Sequence, residues 1–470
     1  MAQVFSGFVG PWNATLGYDA DSQRAINLYP RPVESRDGKA QNILRGTPGL
    51  DDFCTLATTP VRGLLSAGSA AANRLFAVGG SKLYEVSSGG VATLLGDVGD
   101  DASHTPVTME LNGGQLLIGS AGQAYTDSGI GPTSVGIPTA KQIAYIDGYG
   151  IALRPSSRQF DISALNDFGT WDALDFDIKS GYPDYIGGIL ADHKHLWLFG
   201  ELYGTEIWEH TGNPDFPFER VHSIQQGIAA PWSAVRLMNG VAWIGQDTRG
   251  KFCAWWAQGF QPQRVSTYAI EEELSLGGIS TLSDCISWSQ VWNGHHFWWL
   301  QFPTRGKTFV FDATTGWWHE RSYWTGSALQ RHRARCHAFC FDQHLVGDHT
   351  SGIIYKMSDT YGNDNGAAIH RIRQAPHVSE NHEPLFHHKI RFNAQTDASS
   401  TPNWYLQYSD DKGGTWSTER QVTTPAGFNH QPKWSRKGES IDRIWSLRTD
   451  VNSNLEITDA FLHLTKGKRD

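Results

Sequence analysis

The run LFAVGGSKLYEV, Leu75 to Val86, decides the fold. Two short stretches of aliphatic, aromatic and β-branched side chains flank Gly79 and Gly80, and glycine reaches the positive φ angles that a tight reversal needs, so the run reads as a β-hairpin. Similar units recur at QLLIGSAGQAY (Gln115 to Tyr125), Ile143 to Ile162, LWLFGELYGTEIWE (Leu196 to Glu209), Val241 to Trp256, Phe297 to Trp318 and Gln343 to Met357. Successive starts lie about 40 to 55 residues apart, close to the four-strand blade period of propellers. A lone four-stranded sheet cannot bury both faces, whereas sheets set around an axis pack each face on a neighbour and leave only short edges. The expected fold is therefore all-β: a six- or seven-bladed β-propeller over residues 61–358, with His104 to about Asp127 as its weakest unit. Helix is expected only at AIEEELSLG, Ala269 to Gly277.

Outward from the repeats the texture changes. Residues 1–60, rich in turns and aromatics, read as an extended N-terminal segment packed on the propeller. YGNDNGAAIH and the basic residues after it make 359–375 a linker. In 376–470 the runs KIRFNAQ, NWYLQYS, IDRIWSLRTD and LEITDAFLHL alternate apolar with polar residues, as strands with one face in a core do, and a C-terminal β-sandwich is expected.

Of 470 residues, 39 are basic and 48 acidic, a net charge of −9 that rules out a basic protein coating nucleic acid. With 39% hydrophobic residues and 19 Trp, 22 Phe and 15 Tyr, the chain has ample core material. It has no apolar run of about 18 residues, so no membrane span is expected. The start MAQVFSGFVGPWNATLGYDA lacks a basic leader and an apolar core, so no secretory leader is expected. The five cysteines, Cys54, Cys253, Cys285, Cys336 and Cys340, read as unpaired core thiols of a reducing compartment.

The segments that carry chemistry elsewhere have plain structural readings here. SDDKGGTW, Ser409 to Trp416, fits the S-x-D-x-G-x-T-W "Asp box", a hairpin signature in which the Asp ties down the turn and the Trp plugs the adjacent sheet. Sialidase-like hydrolysis would need an arginine cluster on a carboxylate, a Tyr nucleophile with its Glu, and an acid/base carboxylate, none of which spacing singles out. Among histidines the pairs His193/His195, His332/His337 and His387/His388 stand out. On a strand Cys336 and Cys340 lie about 13 Å apart, too far for one zinc ion, and His337 faces away; His193 and His195 lie about 7 Å apart without a third ligand. No catalytic, metal or cofactor-binding residue is assigned, and no cofactor is expected. Arg321, Arg331, Arg333 and Arg335 form a row without acids, followed by Arg371, Arg373, Lys389 and Arg391, while acids gather at Asp51/Asp52, Asp97 to Asp101 and Glu271 to Glu273. Such segregation suits contacts between subunits, a solvated face or, third, phosphate contact.

Several segments resemble the packaged-DNA stabilisation proteins of short-tailed bacteriophages, the tail hub or nozzle proteins. They are RAINLYP (Arg24 to Pro30), RGTPGL (Arg45 to Leu50), GSKLYEV (Gly80 to Val86), EIWEHTGNPDFPFERV (Glu206 to Val221), IQQGIAAPWSAVRL (Ile224 to Leu237), GFQPQRVSTYAIE (Gly259 to Glu271), ATTGWWHERSYW (Ala313 to Trp324), RHRARCHAFCF (Arg331 to Phe341), IRQAPH (Ile372 to His377) and YSDDKGGTWS (Tyr408 to Ser417). The resemblance implies a non-enzymatic virion protein, assembled in the host cytoplasm, that forms a ring of six copies beneath the portal and its head-to-tail adaptor. It implies that the ring extends the channel for double-stranded DNA, helps retain the genome, and meets tail fibres or tailspikes and a needle or plug. An acidic wall would let duplex slide, where lysines would bind it. The alternative is a sialidase-like or glycan-binding propeller.

Overall fold

The computed structural model describes residues 2–14, 22–33, 42–68, 73–137, 139–247, 249–381, 383–397 and 401–467. Leu75–Gly79 and Lys82–Val86 pair antiparallel across Gly80 and Ser81, with Gly80 at a φ of 49°, so the deciding run is the hairpin its glycines predict. Val61–Ser66 and Ala92–Asp97 flank it and complete a four-stranded blade. The same inside-to-outside meander repeats at 108–134, 142–178, 186–224, 235–264 and 286–324. The second blade is the slightest, its outer strand being only Thr133–Ser134.

The last blade is composite. Ala334–Cys340, Gln343–Asp348 and Ile353–Ser358 supply three strands, and Gly49–Thr55 pairs antiparallel with Ile353–Ser358 as the fourth. The propeller thus has seven blades, and a strand expected in the N-terminal segment belongs to it. The physical reason is the unpaired edge that Ile353–Ser358 would otherwise present, together with an open ring. A separate buried apolar cluster fills each interface around the ring, including those between blades seven and one and between six and seven. Closure is therefore complete.

The expected helix forms at Tyr268–Ser275, capped by the Thr267 side chain, which accepts from the Ile270 amide. It buries Ala269, Ile270 and Leu274 between blades five and six.

Beyond the ring, two sheets enclose one apolar cluster that includes Leu385, Phe392, Trp404, Trp445, Leu447 and Leu462. Leu385–Thr396 and Leu455–Lys466 run the length of one sheet; Asn403–Ser409 and Asp442–Thr449 lie in the other. The N-terminus contributes here too: Leu28–Pro32 and Asn42–Gly46 extend the first sheet, and Phe5 and Phe8 enter the core. The second sheet is continuous with blade six, because Ile26 pairs with Glu320 on one side and with Ile372 on the other.

At Gly49 a methyl group would meet the Tyr361 and Asn363 carbonyl oxygens at 2.4 Å, whereas Gly114 has open space. Gly49→Ala should therefore lower unfolding stability by about 1 to 3 kcal/mol, the usual scale of overpacking. Gly114→Ala should leave it within about 0.5 kcal/mol. Denaturant melts of the two variants check the closing strand, and equal stabilities would contradict its role.

Candidate functional site

The innermost strands of all seven blades surround one axial cavity of about 410 Å³, lined by side chains that include Arg62, Glu110, Gln142, Arg236, Arg335 and His337. Most of these polar groups bridge blades. Arg62 donates to the carbonyls of Gly80, Gly99 and Thr105 at 2.8–3.0 Å and pairs with Asp100 at 3.1 Å. Arg335 of blade seven donates to the His104 carbonyl, at the entry to blade two. Gln142 donates to the Pro231 carbonyl at 3.0 Å and accepts from the Ile189 amide at 2.9 Å, joining blade three to blade four and to the approach to blade five. Arg236 donates to the Ala191 carbonyl at 2.5 Å. Burial, with a smaller push from nearby Arg62, lowers Arg335 to about 10. Burial pushes the Glu110 carboxyl up to about 7, against the pull of Arg236. The cavity is far smaller than a tunnel for B-form duplex, whose major groove alone is about 12 Å wide. DNA has no path through one chain.

The rows of like charge do not form segregated outer faces. Arg321, Arg371 and Arg373 are fully buried. Arg371 donates to the carbonyls of Val451 and Thr47, and Arg373 donates to those of Gly7, Phe8 and Pro11. Arg333 reaches the hydroxyls of Tyr323 and Tyr355. The acids are partnered as well: Asp51 by Lys356, Asp97 by Lys82, Glu271 by Arg264 and Glu273 by Lys307. Cations that leave water need acceptors, and backbone carbonyls left by irregular chain supply them. Of the basic residues singled out, Arg331, Lys389 and Arg391 lie partly exposed without an ion pair among the described residues, the last two side by side on one sheet face.

Where blade six meets the N-terminal and C-terminal strands, Tyr29, His319, Arg321, Asp359, Asp364 and Arg371 each leave a buried polar atom without a partner. Arg321 lies 4.8 Å over the Trp299 ring, and burial lowers it to about 10. Burial raises Asp364 to about 7, although Arg371, Arg333 and Arg321 all pull it down. Such a cluster is the kind of place that ordered water fills. Sequence reading missed it, as it missed Asn27, which sits at a φ of 53°, donates to the Ser322 and His370 carbonyls and accepts from the Ser322 amide. Only the position of Asn27 within RAINLYP marked it.

The histidine pairs do not converge. His193 is an exposed turn residue beside Asp192, and His195 packs edge-on to Phe260. His332 is buried and accepts from the Ala334 amide. His337 and His344 bond ring to ring at 3.0 Å, and burial pushes His337 down to about 3. His387 bonds Ser440 and His388 bonds Thr465. Among the described residues no cluster of His, Cys, Asp or Glu could hold a metal ion. Burial holds the Cys336 and Cys253 thiols up at about 12 and Cys54 at about 11, which keeps them inert. The Asp box is a tied turn: Asp411 accepts from Ser409 and from the Thr415 amide and hydroxyl at 2.6–2.8 Å.

A family model described as "Bacteriophage P22 Gp10, beta-propeller" matches residues 17–362. No curated protein matches the chain. Among solved structures, the N-terminal domain of Nup159 is 9% identical, with 72% of this chain and 99% of that one covered at a TM-score of 0.42. The computationally designed Ika8 protein is 10% identical, with 65% and 99% covered at a TM-score of 0.36.

Asp364 gives the junction a pH signature. Its folded pKa lies above the ordinary carboxylate value of 3.8, so the folded state binds the extra proton and its contribution to stability falls as pH rises from about 4 to about 7. Asp364→Asn cannot ionise. The variant should gain on the parent across that window by up to about 4 kcal/mol and hold a constant margin above it. Chemical denaturation from pH 4 to 8 measures this difference, and a margin that does not change with pH would refute it.

Proposed function

The chain belongs to the family of bacteriophage P22 Gp10 β-propeller proteins, and from that premise we propose that it is the hub of a short phage tail. In this reading six copies form a ring below the portal and its adaptor, extend the DNA channel and help hold the packaged genome. The family match along 17–362, which spans the whole closed propeller, carries the proposal. Three features support it. The seven-bladed ring is closed by its own N-terminal strand and offers stiffness without an edge from which strands peel. The axial cavity is too small for duplex, so a channel must run between copies rather than through one. The net charge of −9 suits a conduit past which phosphates slide. Tail fibres or tailspikes and a needle or plug would meet the outer and distal surfaces.

A carbohydrate-active reading needs arginines free to grip a substrate carboxylate. Arg62, Arg321, Arg335, Arg371 and Arg373 are instead buried, and four of the five spend their donors on backbone carbonyls.

Phage particles made without this chain should package DNA and then lose it, and adding the purified protein to freshly filled particles should restore retention. Nuclease-protected DNA per particle is the measurement. Particles that keep their genomes without the protein would overturn the proposal.

A further inference from the structure

Two faces on opposite sides of the molecule remain unused by its own packing, and they are complementary. The first is the outer strand of blade three, Asp167–Ile178. It has twelve residues and a strand partner along one edge only. Leu174, Phe176 and Ile178 alternate along it and so share a face, with exposures of 81%, 39% and 41%. Asp175 and Asp177 occupy the other face and Asp172 leads in; none of the three forms an ion pair among the described residues. Most other blades guard this position. The outer strands of blades two and five have two and four residues, that of blade six continues into the neighbouring sheet, and that of blade seven is flanked by Asp364. A long apolar edge left open is an association site unless something covers it.

The second is the outward face of Leu385–Thr396 in the sheet beyond the ring. Lys389 and Arg391 face out beside exposed Phe386, Lys433 lies opposite Arg391 on one neighbour, and Phe461 lies opposite it on the other. The Arg391 guanidinium lies 4.8 Å over the Phe461 ring. Lys389, Arg391 and Lys433 have no ion pair among the described residues; the acids Glu439 and Asp459 lie at the ends of the row.

Position makes the pairing productive. The sheet that faces the Leu385–Thr396 sheet across the shared apolar core continues blade six, and the latter's own strand Asn42–Gly46 leads directly into Gly49–Thr55 of blade seven. The two-sheet body therefore sits at the seam of blades six and seven, and in a ring of seven the blade diametrically opposite that seam is blade three. The geometry points to a head-to-tail contact between copies, in which the acidic and apolar outer strand of blade three on one copy docks on the basic, aromatic sheet face around Arg391 on the next. Two different patches on opposite sides make a heterologous contact, which closes into a ring when its rotation allows. The occupant of each face is thus a second copy of this chain. The contact rests on the ring reading given above and assigns it an interface.

Charge reversal tests it. D175K/D177K carries two basic faces and K389E/K433E two acidic ones. In sedimentation velocity over rising concentration, the parent should assemble and each double variant should associate at least tenfold more weakly. An equimolar mixture should assemble again in even-numbered rings, and a quadruple variant carrying both reversals should assemble alone. Those two recoveries cannot come from variants that fail to fold. A parent that assembles while the double variants assemble equally well, or while neither recovery occurs, overturns this contact and leaves the ring reading standing. A parent that remains monomeric throughout overturns both.

Discussion

The pairing of Gly49–Thr55 with Ile353–Ser358 is the constraint on which the rest depends. It brings together strands from opposite ends of the propeller sequence, and without it the ring has a gap and two raw edges. Each of the seven apolar clusters lies between two blades, so each forms fully only when the ring is shut. Closing so long a loop costs entropy, but that cost grows only slowly with length, while the buried area it secures is counted at every interface. The close fit of Gly49 against the carbonyls of residues 361 and 363 places the strand in one register.

Closure also explains the buried arginines. Once the N-terminus must extend both sheets beyond the ring and then supply a strand to blade seven, stretches of it run through the interior without ladder partners. Arg371 and Arg373 gather the carbonyls of residues 7, 8, 11, 47 and 451, tying both ends of the chain to one strand. A buried guanidinium is costly alone, yet here its donors meet acceptors that would otherwise be orphaned themselves. The orphaned atoms around Asp364 mark where this matching is incomplete.

What could be read from sequence follows from how local the physics is. The Leu75–Val86 hairpin, the helix behind Thr267 and the Ser409–Trp416 turn rest on contacts within a few residues, and all three formed as read. Blade number was left between six and seven because the seventh blade borrows Gly49–Thr55 across the whole propeller, and no periodicity signals a loan of that kind. The arginine rows were misread for the same reason. Charge along a strand says nothing about which carbonyls lie beneath it, and Arg371 meets Thr47 and Val451 from opposite ends of the chain. Gln142 is the extreme case: an unremarkable glutamine in the sequence, it ties neighbouring blades together near the axis.

The polar staples and the apolar clusters divide the mechanical work by radius. Blades are wedge-shaped, so their faces have least area near the axis, where dispersion and hydrophobic contact are weakest per blade. There Arg62, Gln142, Arg236 and Arg335 hold neighbours by directional hydrogen bonds. Farther out, Trp197, Trp243, Trp298 and Trp299 fill the interfaces with large buried rings. Apolar faces resist separation but slide easily, because their attraction is not directional. Hydrogen bonds that cross between blades at the axis resist that sliding. A ring whose blades are neither to part nor to slide needs both, and the sequence supplies each where geometry makes it effective.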